Sequence, residues 1–259
     1  MTINTNVASL NAQRNTAANS ASLSTTMQRL SSGLRINSAK DDAAGLAIAD
    51  RMNTQVRGMN VAVRNAGDAI SMAQVAEGGL STMNDMLQRM RELAVQASNA
   101  TNSAGSAGDI AKLDNEYKQL GAELSRMLDA TQFNGEKILN TSASYVFQVG
   151  ANAGAENQIT IANGDISLSG NAAFSAVASG GASATLITGT ASANTANIAA
   201  LDAAISAVND RRASLGALQS RFENTISYLR TASENQSAAR GRIMDADFAA
   251  ETANLSRTQ

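Results

Sequence analysis

Apolar residues recur along this chain at steps of three, four and seven, and the positions between them are mostly small or polar. Over residues 1–34 the apolar seam is thin. Ile3, Val7, Leu10, Ala17, Ala21, Leu23, Met27, Leu30 and Leu34 stand among Asn, Ser, Thr, Gln and Ala with almost no charge. The spacing predicts an amphipathic helix, and so narrow a stripe on a long polar helix needs a partner helix. Ser31-Ser32-Gly33 is a stop signal. Residues 34–42 then form a polar connector, in which Asn37, Ser38, Asp41 and Asp42 can each cap the next helix.

Two heptad registers run through residues 43–99. Met52, Met59, Ala66, Ala73, Leu80, Leu87 and Ala94 are spaced by seven, as are Val56, Val63 and Ile70. If continuous, such a helix of about 55 residues spans about 80 Å, far more than the helices of a compact domain. Gly58, Gly67, Gly78 and Gly79 interrupt it, each costing about 1 kcal/mol against Ala, and the Gly78-Gly79 pair is the expected bend or break. Residues 102–108 read as a small-residue loop after which Asp109 can cap a third helix, with Ile110, Leu113, Tyr117, Leu120, Leu124 and Met127 on one face.

That helix is expected to end before Gln132-Phe133-Asn134-Gly135, where Asn-Gly signals a turn. Alternation at Tyr145, Phe147 and Val149, and again at Ile159 and Ile161, predicts a hairpin linked through residues 151–157. Residues 163–195 carry no clear period and read as short strands or a loosely ordered loop around Ile166, Leu168, Phe174 and Leu186. Beyond them, Leu201, Val208, Leu215, Phe222 and Leu229 sit seven apart, with Ile198, Ile205 and Ile226 on a companion register. Four such heptads make a coiled-coil seam. Met244, Phe248 and Leu255 open a further amphipathic stretch with no stop signal before Gln259, so the chain reads as ending mid-helix. The expected fold is mainly α: long coiled-coil helices folded back into a rod-like bundle, with a small β-hairpin region near residues 138–168.

Composition narrows the function. The 259 residues include no Cys, His, Pro or Trp, and 20 basic against 22 acidic residues. Without Pro, long uninterrupted helices are unimpeded. The near-neutral balance argues against nucleic-acid binding through a basic footprint. Absence of Cys and His removes the thiolate nucleophile, the commonest general base and the commonest metal ligand. No phosphate-loop, nucleophile-elbow, dinucleotide or zinc-protease motif is present, so neither an enzyme nor a cofactor is expected. Asp245, Asp247 and Glu251 do not converge on a helix, so no metal site is expected there. The N-terminus has neither the basic nor the apolar region of an ordinary export signal, and no apolar run is long enough for a membrane span.

Four motifs in order resemble those of bacterial flagellin. They are Ser31-Ser32-Gly33-Leu34-Arg35-Ile36-Asn37-Ser38-Ala39-Lys40-Asp41-Asp42-Ala43-Ala44-Gly45-Leu46-Ala47-Ile48, then Leu87-Gln88-Arg89-Met90-Arg91-Glu92-Leu93-Ala94-Val95-Gln96, then Thr131-Gln132-Phe133-Asn134-Gly135, and finally Asp245-Ala246-Asp247-Phe248-Ala249-Ala250-Glu251 with Leu255-Ser256-Arg257. The likeness covers residues 1–140 and roughly 195–259. It implies a subunit of the flagellar filament, secreted through the flagellum's own type III channel and self-assembling for motility. The organisation it implies is an inner-core helix with spoke connector over 1–42 and rod helices over 43–140. A hairpin with short variable tip follows over 141–195, then a C-terminal rod helix over 196–240 and the start of a C-terminal inner-core helix over 241–259. Family members continue that last helix past the position of Gln259, so this chain reads as naturally short or trimmed.

The implied partners are further copies of the chain, an export chaperone that grips the C-terminal tail, the hook–filament junction and filament cap proteins, and host Toll-like receptor 5. No nucleic acid and no membrane are expected. By the same resemblance Arg89, Leu93 and Glu116 match positions that this receptor contacts, on a surface also buried between subunits. Leu120 stands where receptor-active flagellins carry a basic residue. The plain reading of Arg89 is an ion pair with Asp85, one turn earlier beside the face of Leu80, Met83, Leu87, Met90 and Ala94. Arg35, Lys40, Asp41 and Asp42 of the connector are expected to make inter-subunit contacts. Two alternatives stand beside the filament subunit: a hook–filament junction protein of the same export system, and a surface adhesin using the Ser/Thr/Asn-rich middle. The motifs at 88–96 and 132–135 favour the filament subunit.

Overall fold

A computed structural model describes residues 6–99, 101–102, 108–178 and 191–259. It is mainly helical, and its long helices are α1 (Val7–Ser32), α2 (Ala43–Ala97), α3 (Asp109–Ala130) and α6 (Ala191–Met244). Shorter helices are α4 (Asn163–Ile166), α5 (Ala172–Ala178) and α7 (Phe248–Thr258). Strands β1 (Gln132–Phe133) and β2 (Glu136–Lys137) form one antiparallel pair, and β3 (Tyr145–Gln148) and β4 (Gln158–Ile161) another. The chain divides into two compact units, one built from Met1–Val61 with Tyr228–Gln259 and the other from Ala62–Ser227. Both α2 and α6 contribute to each.

The unit spanning Ala62–Ser227 holds the hydrophobic core. From α2 it takes Leu80, Met83, Leu87, Met90, Leu93 and Ala94, and from α6 the heptad residues Leu201, Val208, Leu215 and Phe222, all fully buried. Tyr117 and Leu124 of α3 close the third side. Burying side chains of this size contributes about 1.5–3 kcal/mol each, which is why the heptads translate directly into packing. Phe222 meets Phe147 of β3 edge to face, with ring centroids 5.9 Å apart. The hairpin register pairs Tyr145 with Ile161 and Phe147 with Ile159. Its strand end is tied to α2 by the Asn65 amide, which donates to the Gln148 carbonyl at 3.0 Å.

The structure departs from the sequence expectations in three places. The Gly78-Gly79 pair does not break α2, which is one helix of 55 residues. Gly79 serves a close approach instead: a Cβ there would lie 2.9 Å from Thr131 Oγ1 and 3.2 Å from Leu139 Cδ1, whereas Gly78 faces open space. The segment expected as strands or a loose loop contains α4, α5 and the first turns of α6. Ile166, Leu168, Phe174 and Val177 are all buried there, so tertiary burial orders helices too short to show a period; residues 179–190 lie outside the described part. Asp109 is the first residue of α3 rather than its cap, which is Gly108 without a side-chain bond. Most of the 102–108 loop lies outside the described residues. The expected Asn-Gly turn is present and closes the short β1–β2 hairpin, with Asn134 at φ 50° and Gly135 at φ 83°, as a type I′ turn requires.

Candidate functional site

Two clusters carry the residues singled out by sequence. The first lies where α1 ends and α7 begins, within the unit of Met1–Val61 and Tyr228–Gln259. Gly33 closes α1 in the left-handed conformation, φ 70°, and its N–H donates to the Arg29 carbonyl at 2.8 Å. The connector then pairs with the end of α6. Leu34 and Asp245 form an antiparallel β-bridge, the Arg35 N–H donates to the Met244 carbonyl at 2.6 Å and the Ala246 N–H to the Gly33 carbonyl at 2.9 Å. The Arg35 guanidinium adds a bond to the Ile243 carbonyl at 2.7 Å.

The connector's carboxylates are occupied within the chain. Asp41 Oδ2 accepts from the Asn37 and Ser38 N–H groups at 3.1 and 2.9 Å and from the Ser38 hydroxyl. These bonds, the one to Asn37 first, hold the Asp41 carboxyl below its ordinary range. Asp42 Oδ1 accepts from the Gly45 N–H at 2.8 Å and so starts α2. Gly45 gives this cap room, since a Cβ there would lie 2.4 Å from Asp42 Oδ2 and 2.8 Å from Cδ1 of the buried Ile36 and would displace both. Lys40 is exposed.

Across the bridge, Asp247 caps α7 by accepting from the Ala249 and Ala250 N–H groups. Glu251 is buried and pairs with Arg29 of α1 at 3.1 Å. Sequence reasoning weighed Glu251 as a cation ligand and as part of the fourth motif, and overlooked Arg29 as its partner. Among the described residues no group of three His, Cys, Asp or Glu side chains converges as a metal would need.

The second cluster sits on α2 and α3. Arg89 contacts Glu116 across the two helices at 2.8 Å and Glu92 on its own helix at 3.0 Å. The bond to Glu116, then that to Glu92, raises the Arg89 pKa. The expected pair with Asp85 does not form: the guanidinium is drawn toward α3, where Glu116 offers a second carboxylate. Leu93 is fully buried in the core, and Leu120 packs partly buried against it. The structure therefore brings Arg89 and Glu116 together at the surface and separates Leu93 from them. Beside this cluster, Tyr117 is buried with no partner for its hydroxyl, and desolvation followed by the nearby Asp114 pushes its pKa up to about 12.

Comparison with known proteins matches both ends of the chain. A family model described as the bacterial flagellin N-terminal helical region matches residues 3–144, and one described as the bacterial flagellin C-terminal helical region matches residues 198–259. The chain is 45% identical to a flagellin of Halalkalibacterium halodurans over 259 residues, covering 100% of this chain and 90% of that one. It is 38% identical to a flagellin of Bacillus subtilis over 283 residues, covering 99% and 91%. The crystal structure of Bacillus cereus flagellin superposes with a TM-score of 0.51 at 26% identity, covering 68% of this chain and 94% of that one.

Proposed function

The chain belongs to the bacterial flagellin family, and from that premise we infer how its geometry serves a structural subunit that self-assembles into the flagellar filament. The observation that carries the reading is the bareness of α1. Val7 is 61% exposed, Leu10 56% and Met27 57%, and Thr26 is the one buried residue of the helix. An isolated helix with so little cover is marginal in water. Copies of the chain that cover this face recover the free energy of burying it, so ordering of the terminal helices is linked to polymerisation.

Export through the flagellar type III channel supplies the route to the extracellular filament, with the export chaperone, the junction proteins and the cap as partners along it. The connector over 34–42 acts as the spoke between inner-core and rod segments. Of its expected inter-subunit residues, Lys40 is the one left for a neighbouring copy, because Arg35, Asp41 and Asp42 are engaged within the chain. The Arg89–Glu116 surface is the reading for Toll-like receptor 5. The same surface is buried between subunits in the filament, so monomers are the recognised form.

Seeded polymerisation tests the assembly reading. Purified chain is added to short filament fragments at neutral pH and imaged by negative-stain electron microscopy. Growth of the seeds is expected; seeds that stay short in excess monomer overturn it.

A further inference from the structure

The contact between α1 and α7 is held by unusual residues. Each helix has a single buried side chain, and both are polar: Thr26 on α1 and Glu251 on α7. The half-buried positions beside them are Leu23, Arg29 and Leu30 on α1, and Thr252, Asn254, Leu255 and Thr258 on α7. No large hydrophobe is fully enclosed, so apolar burial discriminates poorly between one alignment of the helices and another. The rest of α1 is rich in Ala, Ser, Thr and Asn, and such a surface looks nearly the same after a shift of one turn.

Charge breaks this degeneracy. Arg14 and Arg29 are the two charged residues of α1, and Glu251 is the one acid of α7. Glu251 therefore has two possible partners on α1. Arg14 is four turns away from Arg29, about 22 Å at 1.5 Å per residue, and it bonds Asn11 of its own helix at 2.8 Å. The Arg29–Glu251 pair is also poorly built for stability alone, because Arg29 Nε is buried with no partner. An incompletely matched pair with a buried glutamate and a half-buried arginine offsets little of its desolvation cost, and the best-attested use of such a pair is to select one register. The ladder from Gly33 to Arg35 ties the near ends of the helices. The ion pair, one turn further in, decides which faces meet.

We propose that Arg29 and Glu251 form the register-setting pair of the terminal helices, so that the α1–α7 alignment needed for a growing filament is chosen by this contact rather than by hydrophobic packing. The proposal extends the self-assembly reading. Growth of wild-type chain on seeds is therefore the control that separates failure of one from failure of the other.

Because the chain has no Cys, cysteines at the exposed positions Gln28 and Ala250 take spin labels uniquely. A small fraction of labelled chain is elongated into unlabelled filament and the label-to-label distance distribution is measured. Wild type gives one narrow distribution. Glu251→Gln and Arg29→Gln give a second or broadened distribution, or fail to elongate. The double reversal Arg29→Glu with Glu251→Arg restores both the narrow distribution and elongation. Single variants that elongate with the wild-type distribution overturn the proposal, and so does a double reversal no better than the single variants.

Discussion

Arg89 and Glu116 stand 2.8 Å apart across α2 and α3 with about half of each side chain exposed, while Leu93, one turn further along α2, is fully buried. Three residues grouped by sequence thus divide into a surface pair and a core residue, and substitution separates them. Arg89→Ala and Glu116→Ala are expected to leave the thermal midpoint nearly unchanged, because exposed ion pairs stabilise little. Together they abolish most signalling in a receptor reporter assay. Leu93→Ala is expected to cost about 2–5 kcal/mol and to weaken signalling only as far as it unfolds the chain. Normal signalling by the Arg89/Glu116 double variant would refute the assignment.

The adjacent glycines of α2 have opposite expected responses. Gly78→Ala meets open space and is expected to stabilise by up to about 1 kcal/mol through helix propensity. Gly79→Ala gains the same propensity but forces its methyl against Thr131 and Leu139, so its melting temperature falls below that of Gly78→Ala. Equal midpoints in calorimetry would show that Thr131 yields without cost.

Asp41 gives the connector a dependence on acid. Its carboxyl is held below the ordinary value of 3.8 by hydrogen bonds made to the ionised form. The stabilisation is therefore complete above pH 3.8 and is lost as pH falls through the lower folded-state value. Amide exchange at Asn37 and Ser38, corrected for its intrinsic pH dependence, should stay protected at pH 5 and open only in stronger acid. In Asp41→Asn the same amides should be poorly protected at every pH. Protection in that variant equal to wild type would mean that the loop holds itself.

Limited proteolysis of the monomer is expected to trim residues before about 45 and after about 240, since α1 and α7 bury so little of themselves. Filaments of the same chain should resist that trimming. A monomer that survives at full length would contradict linked ordering.

Much of the helical fold was legible because its cause is local and repeated. The heptads of α6, from Leu201 to Phe222, are core residues wherever a partner helix lies. What escaped depends on contacts distant in sequence. Gly79 looks like a helix breaker until Thr131 and Leu139 are placed against it. Phe174 and Val177 are too few to declare a helix, yet their burial makes one. The same holds in the candidate sites. Nothing near Arg89 in sequence identifies Glu116 over Asp85, and nothing near Glu251 identifies Arg29, 222 positions earlier.

One contact sets where the chain can grow. The Ser125 hydroxyl of α3 donates to the Ala178 carbonyl at the end of α5, while Asn194 and Asn197 near the start of α6 are buried. Both ends of the intervening stretch are thereby anchored in the same unit by groups that do not depend on its length. An epitope or a whole domain grafted between Ala178 and Asn194 is therefore expected to leave both anchors in place.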